Sequence, residues 1–414
     1  DQMPSRGHGA DDAMLKHYAK LRIEEMLGPK FDDAVADLPA EALLLKAFAD
    51  RGLTGYRVVA ADNDTAPGTG RSLAQKCVVF TRFPVEAVRS HPTRDARAIL
   101  EVRVDVDGAP LYLFNNHWKS GASDPVTEQV RVDNARTLRQ RLNEILEGDP
   151  NADVVVAGDF NSHYNQRHRH PEMRRTGLND VLGSQGNELA VRGEQRHLYN
   201  LWFELRAAER GSDVFRGEWG TLMQIMVTRG LYDYRGVQYV DNSFGVAKVP
   251  GLNVDAKGLP RRWTFDGPAG GGFSDHLPIF AKFVTVPDNR TDRWVALRNA
   301  SVERTEEMAV ARIDYGKMDV EKMAVRADRL PPGANLRSAD YRGKIVRVEG
   351  IVAAGKRLSV RFAGETYDVW SYDAALRDKL RAAYQEGQSL RFYGELGQYR
   401  DRWQFVIHDE SWVK

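Results

Sequence analysis

The amino-acid sequence predicts an α+β chain in two parts, a larger region of strands and helices followed by a smaller strand-rich region. Three observations carry that expectation. Short apolar runs end abruptly on polar residues in LYLFNNHWKS (111–120) and ADVVVAGDFNS (152–162), and a further one follows the polar pair of FSDHLP (273–278). A helical apolar repeat runs through Val130, Ala135, Leu138, Leu142, Ile145 and Leu146. From residue 344 onward the pattern is three strands, a helix and two more strands.

At 414 residues the chain is long enough for two domains and a large core. Its 42% hydrophobic and 28% charged residues are globular values. The formal net charge of +1 gives no whole-protein field for a polyanion, so any such site must be a local patch. No apolar run reaches the length of a membrane span. Cys77, the single cysteine, lies in the apolar run 77–80 and is expected to be a buried structural thiol. One cysteine excludes an intrachain disulfide, which suits cytosol or periplasm and argues against a disulfide-stapled secreted module. The chain starts at Asp1 without a signal-peptide pattern, so a processed or truncated N-terminus is expected. The expected location is periplasmic or secreted, with the cytoplasm left open.

Residues 1–12 (DQMPSRGHGADD) read as a loop or arm, and 13–27 as a helix stopped by Gly28-Pro29. A second helix is expected over 39–50 and a strand over 56–60. The segment DNDTAPGTGRS (62–72) matches no defined phosphate motif and reads as a surface loop. Strands are expected over 77–81, 99–106 and 111–115, with Asp107-Gly108 suited to a type I′ hairpin turn. A long helix over 127–147 leads into the central strand at Val154–Val156. The segment HYNQRHRH (163–170) reads as a phosphate-attracting or solvated loop, because its histidine spacing fits no compact tetrahedral metal site. Residues 195–220 interleave arginine with aromatic residues, which suits base stacking as well as an ordinary core. A strand is expected over 221–228, and FDGPAGGG (265–272) reads as a flexible loop.

In their order, NHWKS, GDFN and SDHLP resemble the motifs of the endonuclease/exonuclease/phosphatase (DNase I-like) superfamily, over roughly residues 40–285. The resemblance implies a four-layer α/β/β/α sandwich with its active site at one end, performing metal-dependent hydrolysis of a phosphodiester. Asp159 and Asn161, two apart, point to the same side of an extended chain. By resemblance, Asp159 orients and deprotonates the attacking water and ligates metal, and Asn161 holds that water or a phosphate oxygen. His276 binds the scissile phosphate, Asp275 is a metal ligand or an orienter, and His117 is a candidate general acid. Asn116, Lys119, Arg97 and Ser274 are the expected substrate contacts. The expected cofactor is a divalent ion, Mg²⁺ first, with Mn²⁺ or Ca²⁺ as alternatives, since hard oxygen donors suit these ions.

Two departures from the family pattern stand out. Members open with a strand ending in Asn and another ending in Gln-Glu, whose Glu is the principal metal ligand. Neither precedes Tyr56, and Glu24, Glu25 and Glu41 fall in helical patterns. The strand before SDH carries an Asp in the family, where this chain has Met223. The first departure is expected to reflect missing N-terminal sequence, the alternative being a divergent or weakened site; the Met223 departure has no such explanation.

The C-terminal pattern resembles the OB-fold, a five-stranded barrel that often binds oligonucleotides. The expected domains are therefore a catalytic domain over 1–285, a linker with helical segments over 286–335 and an OB-like barrel over 336–414. Trp370, Trp403, Arg361 and Arg391 are the barrel's candidate nucleic-acid contacts, and Arg357, Tyr367, Tyr393 and Tyr399 extend the same alternation of cations and aromatics. The leading expectation is a nuclease whose substrate is DNA, or RNA, with no protein partner evident. The alternatives are a phosphatase or phosphodiesterase of lipid or inositol phosphates, and a non-catalytic binding protein on a degenerate nuclease scaffold.

Overall fold

Strand periodicity places alternate side chains on opposite faces of a sheet, and here the two faces build two separate cores. The computed structural model describes residues 18–36, 38–61, 76–193, 196–262, 272, 274–286, 308–331, 334–338 and 340–414. The expected arm at 1–12, the loop at 62–72, most of 265–272 and the linker stretch 287–307 lie outside the described residues. The chain divides into two compact units that interleave in sequence. One takes 1–212, 220–247 and 278–311; the other takes 213–219, 248–277 and 312–414.

In the first unit the strands are β1 (Arg57–Ala60), β2 (Val78–Thr81), β3 (Val85–His91), β4 (Ile99–Val106), β5 (Ala109–His117), β6 (Val154–Asp159) and β7 (Ser184–Gln185). They continue with β8 (Leu198–Asn200), β9 (Met223–Val227), β10 (Gly236–Tyr239), β11 (Gly245–Val246), β12 (Ile279–Phe280) and β13 (Phe283–Val286). Seven of them form one mixed sheet in the order β3-β4-β5-β6-β9-β8-β7. The pairs β1–β2, β10–β13 and β11–β12 make smaller sheets. The β4–β5 hairpin turns on Asp107 and Gly108, both with positive φ (55° and 89°), as a type I′ turn requires. Asp105 secures it by accepting the Gly108 N–H at 2.6 Å.

The helix α1 (Ala40–Asp50) follows the expected boundaries closely. The long helix α2 (Pro125–Gly148) starts on Asp124, whose side chain accepts the Val126 N–H, with Pro125 in the first turn. Its apolar stripe, Ala135, Leu138, Leu142, Ile145 and Leu146, packs on Ile99, Phe114, Val154, Val156 and Met226 of the large sheet. Full burial of each such leucine stabilises the fold by about 1.5–3 kcal/mol. The intervening residues Leu100, Val102, Val104, Val155, Ile225 and Val227 face the other way, onto Val59, Cys77, Val237 and Tyr239 of the small sheets. On the outer side of those sheets, Phe48 of α1 meets Phe80 and Tyr56 at ring-centroid distances of 5.5 and 5.3 Å. The layers are therefore helix, sheet, sheets, helix, the expected four-layer sandwich.

Three expectations need correction. The helix expected over 13–27 is, among the described residues, only the turn Ile23–Met26. The first half of the segment 163–170 is not solvated: His163, Tyr164, Asn165 and Gln166 are buried, whereas Arg167 and His168 are exposed. Nor do the aromatics of 198–203 offer a stacking surface, since Tyr199, Trp202 and Phe203 are wholly within the core. In both segments the aromatic bodies fill space between the sheets, which outweighs any advantage of exposing them.

In the second unit, β14 (Val325–Arg326), β15 (Ile345–Val352), β16 (Ser359–Phe362), β17 (Glu365–Trp370), β18 (Ser389–Tyr399) and β19 (Arg402–Val406) form one sheet. It closes on itself because β15 pairs with β18 along Ile345–Ile351 as well as with β16. The result is a five-stranded barrel, β15 to β19, with the helix α3 (Ala374–Ala383) between its third and fourth strands. Asp373 caps that helix by accepting the N–H groups of Ala375 and Leu376. Within this unit Lys257 donates to Glu395 Oε2 at 2.9 Å, and the His408 ring meets the same oxygen at 3.1 Å. Burial raises the Glu395 carboxyl, yet His408 and Lys257 outweigh it and hold the group at about 2.

Candidate active site

The parallel register of β5 and β6 sets Asn116 beside Gly158 and His117 beside Asp159. The antiparallel register of β6 and β9 sets Met223 across from Asp159 on the other side. His117, Asp159 and Met223 thus form one row at one end of the large sheet. Gly158 is what lets β5 and β6 approach there. Its φ is +131°, and a Cβ would lie 2.1 Å from the Asn116 carbonyl oxygen.

Beyond the strand the chain doubles back at Asn161, which has φ +47°, a conformation asparagine tolerates better than most residues. That turn brings the Asn161 N–H onto Asp159 Oδ1 at 2.9 Å, and its Nδ2 donates to the Trp118 carbonyl at 3.1 Å. Trp118 N–H in turn donates to the Asp159 carbonyl at 2.9 Å, and its ring meets Phe160 edge-on at 4.7 Å. Asp159 Oδ2 lies 3.6 Å from His117 Nε2, the His117 side chain being 34% exposed and that of Asp159 14%. The GDFN and NHW stretches therefore lock one another, the Asn161 side chain taking the Trp118 carbonyl and the Trp118 backbone N–H taking the Asp159 carbonyl.

The loop leaving this row is held by a buried ion pair. Glu128 and Arg131, both fully buried, meet at 2.7 Å on α2. Arg131 Nη1 donates to the carbonyls of Lys119 and Gly121 at 3.1 and 3.0 Å, and Glu128 Oε1 accepts the Gly177 N–H at 2.8 Å. Neither residue was among the candidates, because an i, i+3 Glu-Arg pair on a helix ordinarily signals a solvated face.

The other candidates fall in different places. Asn116 is buried, its amide donating to the Phe114 and Ala157 carbonyls and accepting from Trp118 Nε1 at 3.1 Å. It is thus committed to backbone and side-chain groups beneath the row. Arg97 stands by His117, its backbone N–H reaching the His117 carbonyl at 3.4 Å. Lys119 is half-buried just past the row. Cys77 is buried, and burial pushes its thiol up to about 12, so it is an inert core group. Ser274, Asp275 and His276 belong to the second unit, where Ser274 Oγ accepts the His276 N–H at 3.1 Å.

In the barrel, Tyr367 and Tyr393 are core residues rather than a stacking surface. Trp403 packs against that core, and Trp370 lies under the Arg377 guanidinium at 4.6 Å. Arg391 is paired with Glu349 at 2.9 Å, and Arg357 and Arg402 both reach Asp368. Arg361 is exposed on β16.

The donor set at the row suits a hard ion. Asp159 offers a carboxylate and Asn161 an amide oxygen, and Mg²⁺ commonly takes one or two carboxylates with waters and substrate phosphate completing its shell. The chemistry would fit, although among the described residues Asp159 belongs to no group of three or more His, Cys, Asp or Glu side chains close enough to share an ion. The described residues contain one cluster of three carboxylates close enough to share an ion, Glu188, Glu204 and Asp241, and it is not the expected one. Burial, with Glu204 and Glu188 close by, pushes the Asp241 carboxyl up to about 8.

Comparison with known proteins adds three findings. Residues 47–285 match the sequence profile described as the Endonuclease/Exonuclease/phosphatase family. No protein of curated function matches the chain in sequence. Among solved structures, a humanized D. rerio TDP2 carrying 14 mutations is 15% identical, covering 66% of this chain and 96% of its own, at a TM-score of 0.38. A Leptotrichia buccalis endonuclease/exonuclease/phosphatase family protein is 15% identical, with 61% and 81% covered, at 0.37. The human Nocturnin catalytic domain with bound sulfate is 15% identical, with 56% and 72% covered, at 0.34.

Proposed function

The chain belongs to the endonuclease/exonuclease/phosphatase family, and from that premise we propose that it is a divalent-metal-dependent phosphodiesterase acting on nucleic acid. The observation that carries this reading is the row at the end of the large sheet, where Asp159 is held by the Asn161 N–H at 2.9 Å beside His117. Asp159, oriented by that hydrogen bond, accepts the proton of the attacking water. Asn161, pinned through Nδ2 to Trp118, presents its amide to that water or to a phosphate oxygen. A divalent ion held by Asp159 and Asn161 would neutralise charge on the phosphoryl oxygens.

His117 takes a different part from the general acid expected from sequence. In-line displacement puts the attacking and leaving oxygens on opposite faces of phosphorus. In inverting glycosidases, where an acid and a base flank a reacting centre in that way, the two groups stand about 6.5–9.5 Å apart. His117 is 3.6 Å from Asp159, and we therefore assign it to the attacking side, to orient Asp159 and bind a phosphate oxygen. His276 is assigned from the SDHLP motif as the group that stabilises charge on the phosphate.

The test is digestion of plasmid and single-stranded DNA with Mg²⁺, Mn²⁺ or EDTA, beside bis(p-nitrophenyl) phosphate. The reading expects cleavage that EDTA abolishes, and losses on the order of 10²-fold or more in Asp159→Ala and His276→Ala. Turnover of inositol phosphates without cleavage of nucleic acid would transfer the enzyme to phosphatase chemistry. A second reading, a binding protein on a degenerate scaffold, is favoured by Met223, which faces Asp159 where the family carries an Asp. No turnover with any metal would establish it.

For the barrel, nucleic-acid contact rests on exposed Arg361 and on Trp370 with Arg377 over its face. Lys257 of the segment 248–277 is bonded to Glu395 and Gly343 within the same unit, so point substitutions are a cleaner probe than removing 336–414. Arg361→Ala should weaken DNA binding and make its fall with salt shallower. Unchanged affinity and salt slope would make the barrel a structural module.

A further inference from the structure

We propose that Glu188, Glu204 and Asp241 bind a structural divalent cation of the hard, oxygen-preferring class, Ca²⁺ or Mg²⁺, inside the first unit and apart from the row at Asp159. Each residue offers a carboxylate oxygen, and these oxygens lie within 4.8 Å of one another. They come from three separate elements. Glu188 opens the short helix Glu188–Gly193, Glu204 closes the turn Leu201–Glu204 after β8, and Asp241 follows β10. All three are more than nine-tenths buried, with exposures of 2%, 2% and 7%.

The surroundings make the charge expensive. Tyr199, Trp202, Tyr232, Tyr239 and Phe244 belong to the same buried cluster of the core. Among the described residues the Arg192 guanidinium lies 3.1 Å from Glu188 Oε1 and 4.8 Å over the Tyr232 ring. Glu204 accepts from Tyr199 Oη at 2.6 Å, Tyr239 Oη at 3.4 Å and the Asn242 N–H at 2.6 Å. Buried carboxylate oxygens this close together repel one another, and a dication between them would relieve that repulsion.

A second observation, from another element, points to a ligand. The hydroxyl of Tyr232, on the turn Arg229–Tyr232, is buried and has no hydrogen-bond partner among the described residues. Its ring lies 6.1 Å from that of Tyr199 and 5.9 Å from that of Tyr239, the two tyrosines whose hydroxyls reach Glu204. Asp241 Oδ1 is likewise buried without a hydrogen-bond donor. Buried polar groups are satisfied in folded proteins, and two such orphans at one carboxylate cluster mark a position that an ion and its bound water would satisfy.

The proposal does not rest on the phosphodiesterase reading, and its readouts are ion content and stability. The full chain is unfolded in guanidinium with EDTA, then refolded with Ca²⁺, with Mg²⁺ or with EDTA alone, and passed through gel filtration. Wild type and Asp159→Ala should each retain one equivalent of ion by elemental analysis that Asp241→Asn and Glu188→Gln lack. Ion should raise the Tm of wild type by roughly 5–10 °C and leave Asp241→Asn unmoved. Equal ion content in wild type and Asp241→Asn overturns the proposal. So does a wild type equally stable in EDTA and in either ion, a comparison that needs no variant to fold.

Discussion

Replacing Gly158 by alanine tests whether the close approach of β5 and β6 positions the catalytic row. An added Cβ would lie 2.1 Å from the Asn116 carbonyl oxygen, 2.7 Å from its nitrogen and 2.8 Å from its carbonyl carbon. A relaxed carbon–oxygen contact needs roughly 3.3–3.6 Å, so the strands must part by about 1 Å or more. All three contacts are to backbone, which cannot swing away as a side chain would. The overpacking costs about 1–3 kcal/mol, and holding alanine at a φ suited to glycine costs about 1–3 more. For a unit of this size the sum corresponds to a fall in Tm of roughly 5–20 °C. The displacement falls on the row of His117 and Asp159, where a 1 Å misplacement can cost about 10²-fold in turnover. Circular-dichroism melts and hydrolysis of bis(p-nitrophenyl) phosphate measure both effects. Gly148→Ala is the control, since a Cβ there meets nothing within 4 Å. A Gly158→Ala protein with the wild-type Tm and kcat/KM would refute the claim that this contact sets the site.

Other outcomes follow from the same geometry. Glu128→Gln leaves Arg131 buried without its carboxylate, and should destabilise by about 3–5 kcal/mol in a denaturant titration while lowering turnover through the 119–122 loop. His117→Ala should slow substrates with good and poor leaving groups by the same factor; a loss confined to poor leaving groups would restore it as a general acid. Acid should unfold the protein through its depressed carboxylates. Burial raises Glu101, but His91 and Arg141 outweigh it and hold the group at about 2, against about 4.3 when unfolded. Stability from Glu101 and Glu395 is thus full above pH about 4.5 and is lost as pH falls toward 2. Asp153 works the opposite way: burial pushes it up to about 7, so its contribution fades as pH rises from about 4 to 7. Substituting Glu101 by Gln should flatten the acid limb of a stability–pH curve, and an unchanged limb would count against the assignment.

Elements whose pattern is local were determined by the sequence alone. The Asp107-Gly108 turn, the long helix α2, the strands ending at His117 and Asp159, and the strand–helix order of the barrel all follow from neighbours within a few residues. β3 escaped because VEAVRSH has no apolar alternation: it is an edge strand, largely exposed, whose pairing with β4 and not its composition makes it a strand. Tertiary structure alone decided which polar residues face outward. Asn116 and His117 are adjacent, yet the pleat sends one into the core and leaves the other beside Asp159. The buried cluster of Glu188, Glu204 and Asp241 had no sequence signature, because its members come from three elements and meet only when the sheets pack. Periodicity reports which face a residue takes within its own element. It carries no information on which distant face will close over it, and that closure is what turned the aromatics of 198–203 into core and three scattered acids into one cluster.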